Sequence, residues 1–161
     1  MPTVFPLNVK IGQIEGIISL VRDNDDSISL QKLSDEAMQE ADELFNVISA
    51  CKILKLLRIK KGKVEISKKI SDLSNKGIVD FAESAIKRVQ PFRMIIKTLK
   101  SKKTISTPEL FNMLTQKGYI SYKANMIGMN SFKKDLLNTG IRLHILAYDH
   151  YNDLWHLVDD P

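Results

Sequence analysis

The sequence predicts an α+β fold, mainly helical, in which one plan is used twice. Three observations predict it. From Ala41 to Leu57, apolar residues fall at Leu44, Val47, Ile48, Cys51 and Leu54, the spacing of one buried helical face. Immediately afterwards, Arg58-Ile59-Lys60-Lys61-Gly62-Lys63-Val64-Glu65-Ile66-Ser67 alternates apolar and charged residues about Gly62. That pattern predicts a two-stranded hairpin with glycine in its turn. The same order of elements then recurs in the second half without obvious sequence identity. Helix, short strand, two helices and hairpin is the order of a winged helix-turn-helix unit. The expected architecture is therefore a tandem winged-helix protein, its two units joined by a long helical segment.

Taken in order, Ile11, Ile14, Ile17, Ile18 and Val21 place a first helix over 9–23. Gly16 lies within it at a cost of about 1 kcal/mol unless it admits close helix packing. Asp23-Asn24-Asp25-Asp26-Ser27 lacks the spacing and closing glutamate of a calcium loop and reads as a turn. Ile28-Ser29-Leu30 is a short extended piece. A helix starts at Ser29 or just after it and runs through Ala37, with Leu30 and Leu33 inward. The segment 67–75 is polar and irregular. From Gly77 the helical period returns at Ile78, Phe81, Ala82, Ala85, Ile86 and Val89. Pro91 removes a backbone donor, so the run restarts there, with Phe92, Ile95, Ile96 and Leu99 on a new helix to about Lys100.

Thr104-Ile105-Ser106 is extended. Thr107 is the expected N-cap of the next helix, with Pro108 at its first position, and Leu110, Phe111 and Leu114 carry it to a terminal Gly118. A further helix is expected from about Tyr122 to Asn138, with Met126, Met129, Phe132, Leu136 and Leu137 apolar and Gly140 ending it. Two strands, 141–148 and 153–158, then close around Asp149-His150-Tyr151-Asn152. The expected domains are 1–75, the first winged-helix unit, and 76–161, the linking helix with the second.

Charge is segregated along the chain. Residues 1–50 carry 3 bases and 9 acids, residues 51–103 carry 16 and 4, and residues 104–161 carry 5 and 6, within a net charge of +5. A basic middle segment is the electrostatic footprint of a polyanion partner, or a solvated lysine-rich surface paired with the acidic first segment. No apolar run approaches the ~20 residues of a membrane span, and Met1-Pro2-Thr3-Val4-Phe5-Pro6 has no signal-peptide pattern. A cytoplasmic protein without membrane insertion is expected. The single cysteine, Cys51, lies on an apolar helix face and reads as a small buried hydrophobe.

Catalytic chemistry finds little footing. His144, His150 and His156 cluster at the last hairpin. His144 and His156 are a conceivable metal pair across two strands, but zinc needs two further ligands and hairpin surface residues are the plainer reading. Asp149, Asp153, Asp159 and Asp160 sit at a turn and the terminus, where acidic residues are common. No nucleophile elbow is present, and no phosphate-binding G-x-x-x-x-G-K-[ST] loop. No enzyme activity, metal or cofactor is expected.

Nucleic-acid binding fits better. Arg58, Lys60, Lys61 and Lys63 fall on the first hairpin, with Lys68 and Lys69 following. All six offer phosphate contacts that supply affinity and salt dependence rather than sequence reading. Glu40, Asp42 and Glu43 at the start of the preceding helix suit its dipole but repel phosphate. In the second unit, Ser121-Tyr122-Lys123-Ala124-Asn125 is expected to open the third helix, and Ser121, Tyr122, Lys123 and Asn125 suit base and phosphate contacts, while its hairpin carries little positive charge beyond Arg142.

Several stretches resemble the AAA-associated C-terminal domain found at the end of ATP-binding subunits of nitrate- and sulfonate-type ABC transporters, here as a free-standing chain. They are Gly16-Ile17-Ile18-Ser19-Leu20, Leu30 with Leu33, Ala41 through Ala50, Gly62-Lys63-Val64-Glu65-Ile66-Ser67, the helix into Pro91, and Tyr148-Asp149. The resemblance spans roughly Val9 to Val158 and implies tandem winged helices in a regulatory or DNA-binding module, without an assigned activity. The leading expectation is a transcription-regulatory protein that binds double-stranded DNA as a homodimer. The alternative is a regulatory module contacting an ABC-transporter ATPase or another protein, for which the acidic Glu40-Asp42-Glu43 edge is suited. The stripe on helix 77–89 fits pairing with a second copy or packing on its own domain.

Overall fold

The computed structural model describes residues 3–37 and 39–158. Asp159 and Asp160 lie outside them. The chain is α+β and mainly helical, with two small antiparallel sheets among the described residues, and divides into two compact units. One unit is Ile11–Ala85. The other joins Met1–Lys10 to Ile86–Pro161. The boundary expected at 75/76 thus lies ten residues later by contact. The first residues join the second half because Phe5 N–H donates to Gln90 O at 2.6 Å and Gln90 N–H to Thr3 O at 3.1 Å.

The Ile11–Ala85 unit runs α1 (Ile11–Asp23), β1 (Ser27–Ser29), α2 (Leu30–Ala37), α3 (Ala41–Ile53), β2 (Leu57–Lys60), β3 (Lys63–Ile66) and α4 (Asn75–Ile86). The isoleucine stripe of α1 is buried as its spacing requires, and α1 packs on α2, α3 and β3. Each fully buried aliphatic side chain there contributes roughly 1.5–3 kcal/mol. In the sheet, β3 is central: Ile28 faces Val64, and Leu57 faces Ile66. The polar segment after β3 is held by Arg22, whose Nη2 donates to Ile70 O at 2.9 Å and Leu73 O at 2.6 Å. Ile70 beside it is fully buried, a core residue without a periodic signal.

Helix α3 stops at Ile53, four residues short of the expected Leu57. Lys55 adopts φ 62°, Leu56 N–H donates to Cys51 O and Lys55 N–H to Lys52 O. This is a Schellman stop with lysine where glycine is usual, and it frees Leu57 to begin a strand. The stripe of α4 (Ile78, Ala82, Ile86) is buried within the single chain.

The other unit runs α5 (Phe92–Lys102), β4 (Ile105–Ser106), α6 (Thr107–Gln116), α7 (Met126–Leu136), a π turn (Leu137–Ile141), β5 (Leu146–Asp149) and β6 (Leu154–Leu157). Its sheet repeats the first arrangement, with the short strand and the hairpin's first strand flanking the last. Gly118, at φ 73°, ends the α6 segment in a Schellman motif as expected.

Four expectations in this half are corrected. Ser106, not Thr107, caps α6: its hydroxyl accepts from Glu109 N–H, and Pro108 is the second helical residue. Thr107 is buried instead. Its hydroxyl donates to Asp153 Oδ1 and accepts from Trp155 Nε1 at 2.9 Å, while Tyr148 OH donates to Asp153 Oδ1 at 2.6 Å. Helix α7 begins at Met126, not Tyr122, because Asn125 is its cap. Gly140 does not end the helical path. It lies inside the π turn, where an added Cβ would stand 2.8 Å from Leu146 Cδ1, so its role is close approach. The path stops at His144, φ 56°, with Ile145 N–H on Gly140 O, and the strand expected from Ile141 starts at Leu146.

Candidate nucleic-acid interface

The β2–β3 hairpin is closed by a two-residue turn, Lys61 (φ 51°) and Gly62 (φ 75°). Both positive φ values define the primed turn whose twist matches the strands. Side chains alternate across it. Leu57, Val64 and Ile66 are buried, with Ile59 on the same side but 40% exposed, while Arg58, Lys60 and Lys63 share the opposite face. Arg58 Nε pairs with its cross-strand neighbour Glu65 at 2.8 Å, so one of the basic groups is largely balanced.

At the tip the balance changes. Lys60 stands directly across from Lys63, with Lys61 between them in the turn, and all three are exposed. Among the described residues no carboxylate pairs with any of them. Like charges directly opposite across two strands disfavour the pairing by some tenths of a kcal/mol. A hairpin tip shaped for stability alone would not place them so. Lys68 and Lys69 lie exposed in the turn after β3. The sequence signal brings all six bases to one unit, on and just beyond one hairpin.

The remaining expected residues are in the other unit. Ser121, Tyr122 and Lys123 form an irregular approach to α7 rather than its first turn. Tyr122 is tied inward: its OH donates to Asp135 Oδ2 at 2.6 Å and its ring meets Phe132 edge-on at 5.8 Å. Burial, then the hydrogen bond and charge of Asp135, push its phenol well above the ordinary tyrosine range. Asn125 Oδ1 is occupied by Gly128 N–H at 2.8 Å. Ser121 and Lys123 stay exposed. Two of these four side chains therefore hold the chain's own path.

Features outside the expected set stand on the third helices. Phe45 on α3 is 58% exposed, beside exposed Glu40, Asp42 and Glu43. Its position off the stripe of Leu44, Val47, Ile48 and Cys51 was the available signal. Met126 and Ile127 at the start of α7 are 68% and 74% exposed, although Met126 was expected inside.

His144 is not on a strand, and His156 faces Ala147, so the conceivable histidine pair is not formed across the hairpin. Among the described residues no cluster of three histidine, cysteine or carboxylate side chains is placed to hold a metal, and no helix is long and apolar enough to cross a membrane. Compared with family models and with curated proteins, the chain matches none.

Proposed function

We propose that the Ile11–Ala85 unit is a winged-helix module that holds duplex DNA by its phosphates, with the β2–β3 hairpin as the wing. The single observation that carries this reading is the tip, where Lys60, Lys61 and Lys63 are exposed and lack carboxylate partners among the described residues. A phosphate backbone relieves that like-charge arrangement and releases condensed counterions. Lys68 and Lys69 extend the same contact. The second unit follows the same winged-helix plan, and the whole acts as a non-enzymatic, transcription-regulatory binding protein.

The test is fluorescence anisotropy with a labelled random duplex between 50 and 200 mM salt, concentrations over which phosphate contacts weaken by about 0.9 logarithmic units each per logarithm of salt. Replacing Lys60, Lys61 and Lys63 by glutamate should flatten that slope by about 2.7. Equal slopes for the variant and the parent, or no binding at the lower salt, would refute the wing as the contact.

A second reading is favoured by one observation, exposed Phe45 beside Glu40, Asp42 and Glu43 on α3. An aromatic anchor with an acidic rim suits a basic protein surface better than phosphate. Under the DNA reading Phe45→Ser leaves duplex affinity unchanged. If the parent does not bind the duplex but binds a basic protein probe such as lysozyme, and Phe45→Ser abolishes that binding, α3 and not the hairpin is the contact.

A further inference from the structure

A cavity of about 160 Å³ opens in the second unit between α5, the turn after α4 and the ends of β5 and β6. Its floor is apolar: Ile96 from α5, Ile145 just before β5, Leu157 at the end of β6, and Val158. Ile145 is buried, whereas Ile96 and Leu157 are half-buried and Val158 is 40% exposed, so much of this floor is left open. The charged groups at its walls are of one sign: Lys87 and Lys100 line the cavity beside His144, and no acidic residue is among the lining. Lys100 has no carboxylate partner among the described residues.

We infer that this cavity is a binding site for a small organic monocarboxylate with a ring-sized apolar body, the class to which benzoate belongs. Size sets the body, because a cavity of about 150 Å³ accommodates one benzene ring. The apolar floor gains by covering Ile96, Leu157 and Val158, which water otherwise wets. Charge sets the head. Cationic groups around a low-dielectric floor concentrate positive potential at its rim, where a carboxylate exchanges water for an ammonium donor. The lining holds no arginine, so no planar fork selects phosphate, and the floor offers a phosphate nothing to cover. His144 is fixed at the rim by backbone: at φ 56° it closes the helical path with its N–H on Ile141 O, and Val158 N–H on Ile145 O holds the two floor segments together. This site involves none of the hairpin lysines and stands whether or not the wing binds DNA.

The experiment is methyl NMR of the whole chain titrated with benzoate, benzyl alcohol and inorganic phosphate in separate series. Benzoate should give saturable shifts at the methyls of Ile96, Ile145, Leu157 and Val158. Lys100→Glu should weaken it by about tenfold or more and Lys100→Gln by less, as for reversal and loss of one favourable charge. Lys100 is exposed, so both variants should keep the parent's methyl spectrum. Benzyl alcohol binding as tightly as benzoate would overturn the role of charge. Phosphate binding as tightly would overturn the role of the floor. Shifts that fail to saturate, or that map elsewhere, would overturn the site.

Discussion

Replacing Gly128 by alanine should destabilise the second unit, against the sign that helix propensity gives. Gly128 lies in the first turn of α7, where alanine is favoured over glycine by about 1 kcal/mol on propensity alone. The structure opposes that gain. An added Cβ would stand 1.8 Å from Lys123 O, 2.7 Å from Lys123 C and 2.9 Å from Lys123 N. All three are backbone atoms, so no side chain can swing away and the 121–125 segment must move. That segment is held by Asn125 N–H on Lys123 O and by the Asn125 cap on Gly128 N–H. Overpacking costs about 1–3 kcal/mol, and a lost cap adds about 1. Net of propensity, the loss is about 2 kcal/mol, a fall of about 1 M in urea midpoint. Trp155, the only tryptophan and fully buried, reports this unit by fluorescence. Gly16→Ala is the control: nothing lies within 4 Å of its added Cβ, so it should raise stability by about 1 kcal/mol, followed by circular dichroism. A Gly128→Ala protein as stable as the parent, or more so, would refute the close approach as the reason for glycine.

Three further outcomes are expected. Asp153→Asn should cost about 1–2 kcal/mol at neutral pH by weakening the bonds from Thr107 and Tyr148, while asparagine tolerates the φ of 51°. Burial acts to raise the Asp153 carboxyl, but the Thr107 and Tyr148 hydroxyls, Thr107 N–H and the Lys133 charge outweigh it and hold it below the ordinary range. Its stabilisation is thus complete above about pH 4, the unfolded value, and disappears as pH falls through the lower native one. The gap between variant and parent in urea midpoint should narrow over that acid window and stay constant above it. Lys55→Gly should stabilise the first unit by about 0.5–1 kcal/mol, since the Schellman stop needs a left-handed residue, and a lower urea midpoint would contradict it. Cys51 is fully buried and burial pushes its thiol up to about 12, so a thiol reagent at pH 8 should label it only as fast as the chain unfolds.

What the sequence determined by itself was whatever short-range periodicity encodes. The stripes of α1, α3, α5 and α6, the Lys61-Gly62 turn and the Gly118 stop each depend on neighbours within a few residues, and each was legible. So was the concentration of bases on the first hairpin. Where helix ends were decided by a non-glycine residue in the left-handed region, at Lys55 and His144, no residue type announced it, and helix ends and strand starts were misplaced. The roles of Thr107, Tyr122, Gly128 and Gly140 were invisible for a different reason. Thr107 answers to Asp153 and Trp155, some 46 and 48 residues away, and Gly128 and Gly140 answer to backbone or side chains brought close only by folding. The monocarboxylate cavity belongs to the same class. Its lining comes from four separate stretches between Lys87 and Val158, none of which reads as a site alone. Periodicity fixes which face of an element is apolar, but only tertiary packing decides which polar groups meet and which apolar surface is left uncovered.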